Sequence, residues 1–153
     1  MKEFRVERLA RDARITNIYE GTSQLQIVAA IGPVINDVLR EEFDRYEAKD
    51  YRGGLGTLAN ALKEIRQLFY ASLKYVIERK DPAFQDVAAK DLVELYGYLI
   101  IGYLVLEEAS IDSRKAFIAN RYVLSSLAKA RCNSETIKSG IFSDLLHADK
   151  ILC

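Results

Sequence analysis

The sequence is poor in the residues that interrupt chains and in those that assemble reactive centres. Only 8 Gly and 2 Pro occur in 153 residues, which argues against a disordered tail, a collagen-like fibre and a turn-rich β-sandwich. One His and two Cys, Cys132 and Cys153, cannot build a CxxC pair, a His cluster or a Ser/His/Asp set. No Walker or dinucleotide glycine pattern is present either, so most enzyme classes and a metal centre are removed. Two distant cysteines give no disulfide scaffold, and no cationic-then-apolar leader precedes the first helical pattern, so a reducing cytoplasm is the expected setting. An excess of one charge is missing too: Lys plus Arg and Asp plus Glu both total 22, leaving no basic stripe to neutralise nucleic acid. What remains is 50% hydrophobic and 29% charged, enough to bury the core of one mostly helical domain.

Apolar residues recur at the helical spacing of i, i+3, i+4, i+7. Residues 1–13 read as a short helix carrying Phe4, Leu9 and Ala13, followed by a loop through 15–22. The next helix opens at Thr22 or Ser23, where Ser23 and Gln26 form a capping-box pattern, and runs to about Ala48. Pro33 should kink or divide it. Residues 50–56, with Gly53 beside Gly54, break the chain before a third helix whose stripe is Leu55, Leu58, Leu62, Ile65, Phe69, Leu73 and Val76. Asp81 and Pro82 stop that helix and start a fourth, with Phe84, Val87, Leu92, Leu95, Leu99, Tyr103 and Leu106. After a turn at Ile111 and Asp112, a fifth carries Phe117, Val123, Leu124, Leu127 and Ala128 to about Cys132. Asn133 and Ser134 read as its end, and residues 135–148 as a short amphipathic piece with Ile137, Ile141, Leu145 and His147.

No alternation calls for a strand, so the fold class is all-α: an antiparallel, up-and-down helical bundle of about four long helices with short terminal helices. The run LYGYLIIGYLVL, residues 95–106, is shorter than the roughly 20 residues a membrane span requires and is bounded by Glu94 and Glu107, so it reads as a buried bundle helix. Its Tyr96, Tyr98 and Tyr103 are expected to put rings in the core with hydroxyls at the edge. His147 reads as a helix-end or surface residue, and Cys132 and Cys153 as inert thiols.

One polar segment, VERLARDARITNIYEGTSQLQ at residues 6–26, is specific. Its Val6, Glu7, Arg8, Arg11, Asp12, Ala13, Arg14, Ile15, Ile18, Tyr19, Glu20, Gly21, Thr22 and Gln26 resemble the C-terminal signature of the acyl-CoA dehydrogenases, flavoenzymes that oxidise acyl-CoA thioesters to enoyl-CoA. The resemblance implies two parts: residues 1–49 as the end of the catalytic domain, with the YEGT loop, and residues 50–153 as the additional helical bundle domain of longer members. It also implies that the chain is an excised C-terminal piece, inactive and flavin-free alone.

Carried over by resemblance, Glu20 is the base that takes the α-proton, and its backbone amide hydrogen-bonds the thioester carbonyl. Desolvation by substrate and flavin would raise such a carboxylate toward the operating pH. Gly21 lets the thioester approach, Tyr19 lines the acyl pocket, and Thr22, Ser23 and Gln24 occupy FAD-contacting positions at a helix N-terminus. Ile27 departs from the family pattern, since many relatives place a basic residue there. The alternating charges from Arg8 to Arg14 read as a salt-bridged helix face. The partners implied are acyl-CoA and an electron-transfer flavoprotein. The alternative is an autonomous interaction module, serving subunit association or membrane-surface docking. In either case Phe4, Leu9, Leu25, Val28 and Ile31 are expected to present apolar surface for a homodimer.

Overall fold

A computed structural model describes residues 5–14 and 23–140. Among the described residues there are six α-helices and no strand: α1 (Arg5–Arg14), α2 (Ser23–Ile35), α3 (Arg40–Glu47), α4 (Gly54–Arg79), α5 (Pro82–Ile111) and α6 (Ala116–Ser139), with a 3₁₀ turn at Ser113–Lys115 before α6. The fold is an all-α helical bundle, as the spacing of apolar residues predicts. The loop at residues 15–22, together with Ile141, Leu145, His147 and Cys153, lies outside the described residues.

Three long helices form the body. Leu58, Leu62, Ile65, Phe69, Leu73 and Val76 of α4 are buried, as are Phe84, Leu92, Leu95, Leu99, Tyr103 and Leu106 of α5. On α4 and α5 the predicted stripes are the core faces, apart from Leu55 and Val87 at their margins. Between these helices early residues meet late ones, Phe69 against Tyr96 and Tyr75 against Phe84, so α4 and α5 run in opposite directions. At Gly102 the two helices are tightly packed: a Cβ there would stand 2.3 Å from Leu62 Cδ2 and would force the end of that buried side chain to shift.

The predicted boundaries of α4 and α5 have identifiable causes. Gly56 follows the break at residues 50–53, and a Cβ on it would meet the Tyr51 carbonyl oxygen at 2.8 Å, so glycine is required for the chain to fold back there. Asp81 caps α5, its carboxylate accepting from the Phe84 amide at 3.2 Å, with Pro82 in the first turn. The second predicted helix is divided, although not at Pro33 itself. Proline stays inside α2, and the chain breaks at residues 36–39, where Asp37 adopts φ +48°.

Helix α6 departs from expectation in two respects. It does not end at Asn133 and Ser134 but continues to Ser139, because both polar side chains find partners on neighbouring helices instead of capping their own backbone. The buried hydroxyls of Ser72 and Ser134 hydrogen-bond at 2.9 Å, and the Asn133 amide donates to Glu94 at 3.0 Å. Its core face is only partly the predicted one: Val123 is buried and Leu127 packs against the core as expected, but the rest differs. Phe117 is 84% and Leu124 47% exposed, and Ala128 faces solvent, whereas Ala119, Val123, Ser126, Ala130, Ser134 and Ile137 are buried. Four of these six buried residues are alanine or serine, so hydropathy alone does not select the face. Ile137→Ala should therefore cost about 2–5 kcal/mol in chemical denaturation, and Phe117→Ala less than about 0.5 kcal/mol. Equal effects would contradict the assigned face.

Candidate functional site

Of the residues singled out for chemistry, Tyr19, Glu20, Gly21 and Thr22 lie outside the described residues, while Ser23 and Gln24 open α2. The first turn of α2 has no acidic residue.

What the structure adds is the anchorage of α2. Its Ile31, Val34 and Ile35 pack on the bundle core, so Ile31, expected to be available to a partner, serves the chain's own interior. Leu25 and Val28 are 58% and 65% exposed, and Leu9 on α1 is 65% exposed. Beyond α2 the Asp37 carboxylate, with its side chain only 8% exposed, accepts three hydrogen bonds: from Tyr70 of α4 at 2.6 Å, Tyr96 of α5 at 3.1 Å and Arg40 Nε at 3.0 Å. The Tyr96 hydroxyl in turn accepts from the Leu39 amide at 2.8 Å.

Arg66 extends the network. It lies beside Ile65 on the apolar face of α4, 8% exposed, and pairs with Asp44 at 2.6 Å and Glu47 at 3.3 Å from α3 while donating to the Tyr70 hydroxyl at 3.1 Å. Its guanidinium also stands over the rings of Phe43 and Tyr70. Burial opposes its charge, but hydrogen bonds to Tyr70 and Asp44 outweigh that and hold it above the ordinary arginine range. Tyr103 donates to Glu47, and burial together with that carboxylate pushes its phenol up. Among the described residues no buried side-chain nitrogen or oxygen lacks a partner.

This cluster escaped a reading based on reactive motifs. Its signal in the sequence is an arginine set directly in an apolar stripe, a position that demands anionic partners. The predicted placement of the tyrosines holds, since Tyr96 and Tyr103 are buried with hydroxyls on Asp37 and Glu47, and half-buried Tyr98 donates to Glu94. Elsewhere a cleft of about 320 Å³ is lined by Arg52, Gly54, Leu55, Leu58, Phe117 and Asn120, with Arg52 paired to Asp50. Nothing in it pairs a base with a nucleophile. No helix of the described residues is long and apolar enough to cross a membrane.

The architecture is therefore that of a helical bundle whose polar interior serves fastening. Residues 37–140, more than half of the chain, match the family described as Acyl-CoA dehydrogenase C terminal, and the chain belongs to that family. Among solved structures it is similar to an acyl-CoA dehydrogenase family protein from Porphyromonas gingivalis, at 24% identity and a TM-score of 0.64, over 72% of this chain and 96% of that one. That likeness shows a shared fold. No curated protein matches the chain.

Two of the core-margin phenols link the stability of the fold to alkaline pH. Burial, then the Asp37 carboxylate, push Tyr96 from 10.0 up to about 12, and burial with Glu107 does the same for Tyr51. Between these values the unfolded chain holds fewer protons than the folded one, so their contribution is whole below pH 10 and is lost as pH rises toward 12. Urea unfolding across that window should show falling stability with a shallower fall in Tyr96→Phe. A flat profile for the native sequence would contradict the buried placement.

Proposed function

We propose that the chain is the C-terminal portion of an FAD-dependent acyl-CoA dehydrogenase, in which Glu20 accepts the α-proton of an acyl-CoA thioester. The observation that carries this reading is the family match over residues 37–140, joined to the Glu20-bearing string at residues 6–26 that precedes it. In this reading residues 1–49 close the catalytic domain and residues 50–153 form the additional helical domain. FAD, when bound, supplies the acceptor for the β-hydrogen, which leaves as hydride. The residues of this chain do the rest: Glu20 takes the proton, its backbone amide holds the thioester oxygen, and Gly21 leaves room for the thioester. Tyr19 faces the acyl chain, and Thr22, Ser23 and Gln24 hold the edge of the flavin.

Stabilising developing negative charge on the thioester oxygen by a fixed N–H is the same physics as an oxyanion hole. The activity is fatty-acid β-oxidation, with electrons passing to an electron-transfer flavoprotein in the cytoplasm. As a second reading, the exposed Leu9, Leu25 and Val28 support an interaction role, in which these side chains are covered by a second copy in a homodimer.

In the flavin-bearing protein, Glu20→Gln should lower the rate of flavin reduction by acyl-CoA about 10²- to 10⁴-fold while leaving the flavin absorbance intact. The amide keeps the shape of glutamate but accepts no proton at neutral pH. Near-normal reduction by the variant would remove Glu20 from the role of base. The chain alone should purify colourless, because most of the flavin contacts of such an enzyme belong to other domains, and a stoichiometric flavin band would place the site within this chain.

A further inference from the structure

Helix α6 carries two lengthwise stripes, and the bundle covers only one of them. Opposite its buried residues, Phe117, Arg121, Leu124, Ala128, Cys132 and Glu135 follow one another at intervals of three or four residues, which sets them in one line down the helix. Every one of the six is exposed. Phe117 is 84%, its neighbour Ile118 63% and Leu124 47% exposed, and an open trough of about 450 Å³ lies beside them with Arg121 and Tyr122 in its wall. One buried face is enough to join α6 to its bundle. A second face with contiguous apolar surface marks a site of interaction.

The charges in the line identify what covers it. Arg121 and Glu135 stand seven residues to either side of Ala128, about 10 Å along the axis each way. Neither has a hydrogen-bond or ion-pair partner among the described residues. The line therefore complements itself when reversed: two copies laid antiparallel, with Ala128 on Ala128 at a two-fold axis, bring Arg121 of each opposite Glu135 of the other. Leu124 then lies beside Cys132, and the small Ala128 lets the helices approach closely where they cross. Arg131, at the edge of the line, is neutralised within its own copy by Glu64 at 2.7 Å. A parallel pair would instead set Arg121 on Arg121 and Glu135 on Glu135, and an anionic lipid surface would meet Glu135 with like charge.

We propose that the outer face of α6 is a self-association surface that takes the same face of a second copy of this chain in an antiparallel, two-fold contact. It is separate from the surface of Leu9, Leu25 and Val28, and it depends on neither flavin nor Glu20.

Sedimentation equilibrium of the 153-residue chain tests this in a Val28→Asp background, which removes the other exposed face from the comparison. That chain should dimerise in a concentration-dependent way, since a single helix-to-helix contact lies at the small end of stable interfaces. Arg121→Glu and Glu135→Arg, each alone, place like charges opposite one another in both halves of the contact and should each raise the dimer Kd about 10-fold. Both changes in one chain restore opposite charges and should return Kd close to its starting value, whereas structural damage from either change would persist. Leu124→Asp should give a monomer whose circular dichroism shows unchanged helix content. A chain that stays monomeric throughout the micromolar range overturns the proposal, whether or not it binds vesicles of anionic phospholipid. A dimer indifferent to Leu124→Asp places the contact on another face and overturns it equally. A double charge variant as weak as the single ones overturns the antiparallel pairing.

Discussion

A helix enclosed by neighbours around most of its circumference has to satisfy every polar group it carries from within the protein. Helix α5 is in that position: α4 and α6 flank it, α2 and α3 cross it, and its buried residues run from Phe84 to Ala109. Its apolar side chains supply the burial that holds the bundle, and its two buried tyrosines decide what may lie beside them. Asp37 and Glu47 stand where they do because Tyr96 and Tyr103 need acceptors at the margin of the core.

The aromatic rings make the same region stiff. Phe43 packs edge-on against Tyr96 at 5.3 Å, Tyr46 stacks on Tyr103 at 5.4 Å, and Phe69 sits 5.1 Å from Tyr96. Each such pair adds about 0.5–1.5 kcal/mol beyond area burial. The short α3 would be marginal alone, but Phe43 buries its ring while Asp44 and Glu47 engage Arg66, so tertiary contacts on both faces hold it in place.

The long helices and the fold class were legible in the sequence because burial of α4 and α5 follows a simple apolar stripe and their ends carry strong punctuation at Gly53, Gly54, Asp81 and Pro82. Helix α6 was misread for a physical reason: its core face is built of Ala119, Ser126, Ala130 and Ser134, which score low in hydropathy but allow close approach, while Phe117 and Leu124 point outward. The Asp37 cluster was not legible as a unit because its members come from three helices and a turn, and no local spacing joins residue 37 to residues 66, 70 and 96. The string around Glu20 was legible only through its likeness to a family. Charge, spacing and composition alone would have left Glu20 as one loop carboxylate among many.

The hydroxyl pair of Ser72 and Ser134 acts as a key for alignment along the α4–α6 seam. Most of the buried positions of α6 are alanine or serine, small side chains that by themselves resist sliding little. If α6 slipped by one turn, Ala130 or Lys138 would come opposite Ser72, leaving a buried hydroxyl without its partner at a cost of about 1–3 kcal/mol. Two of the smallest polar side chains thereby add a selective term for one alignment to the packing of the buried Val123 and Ile137.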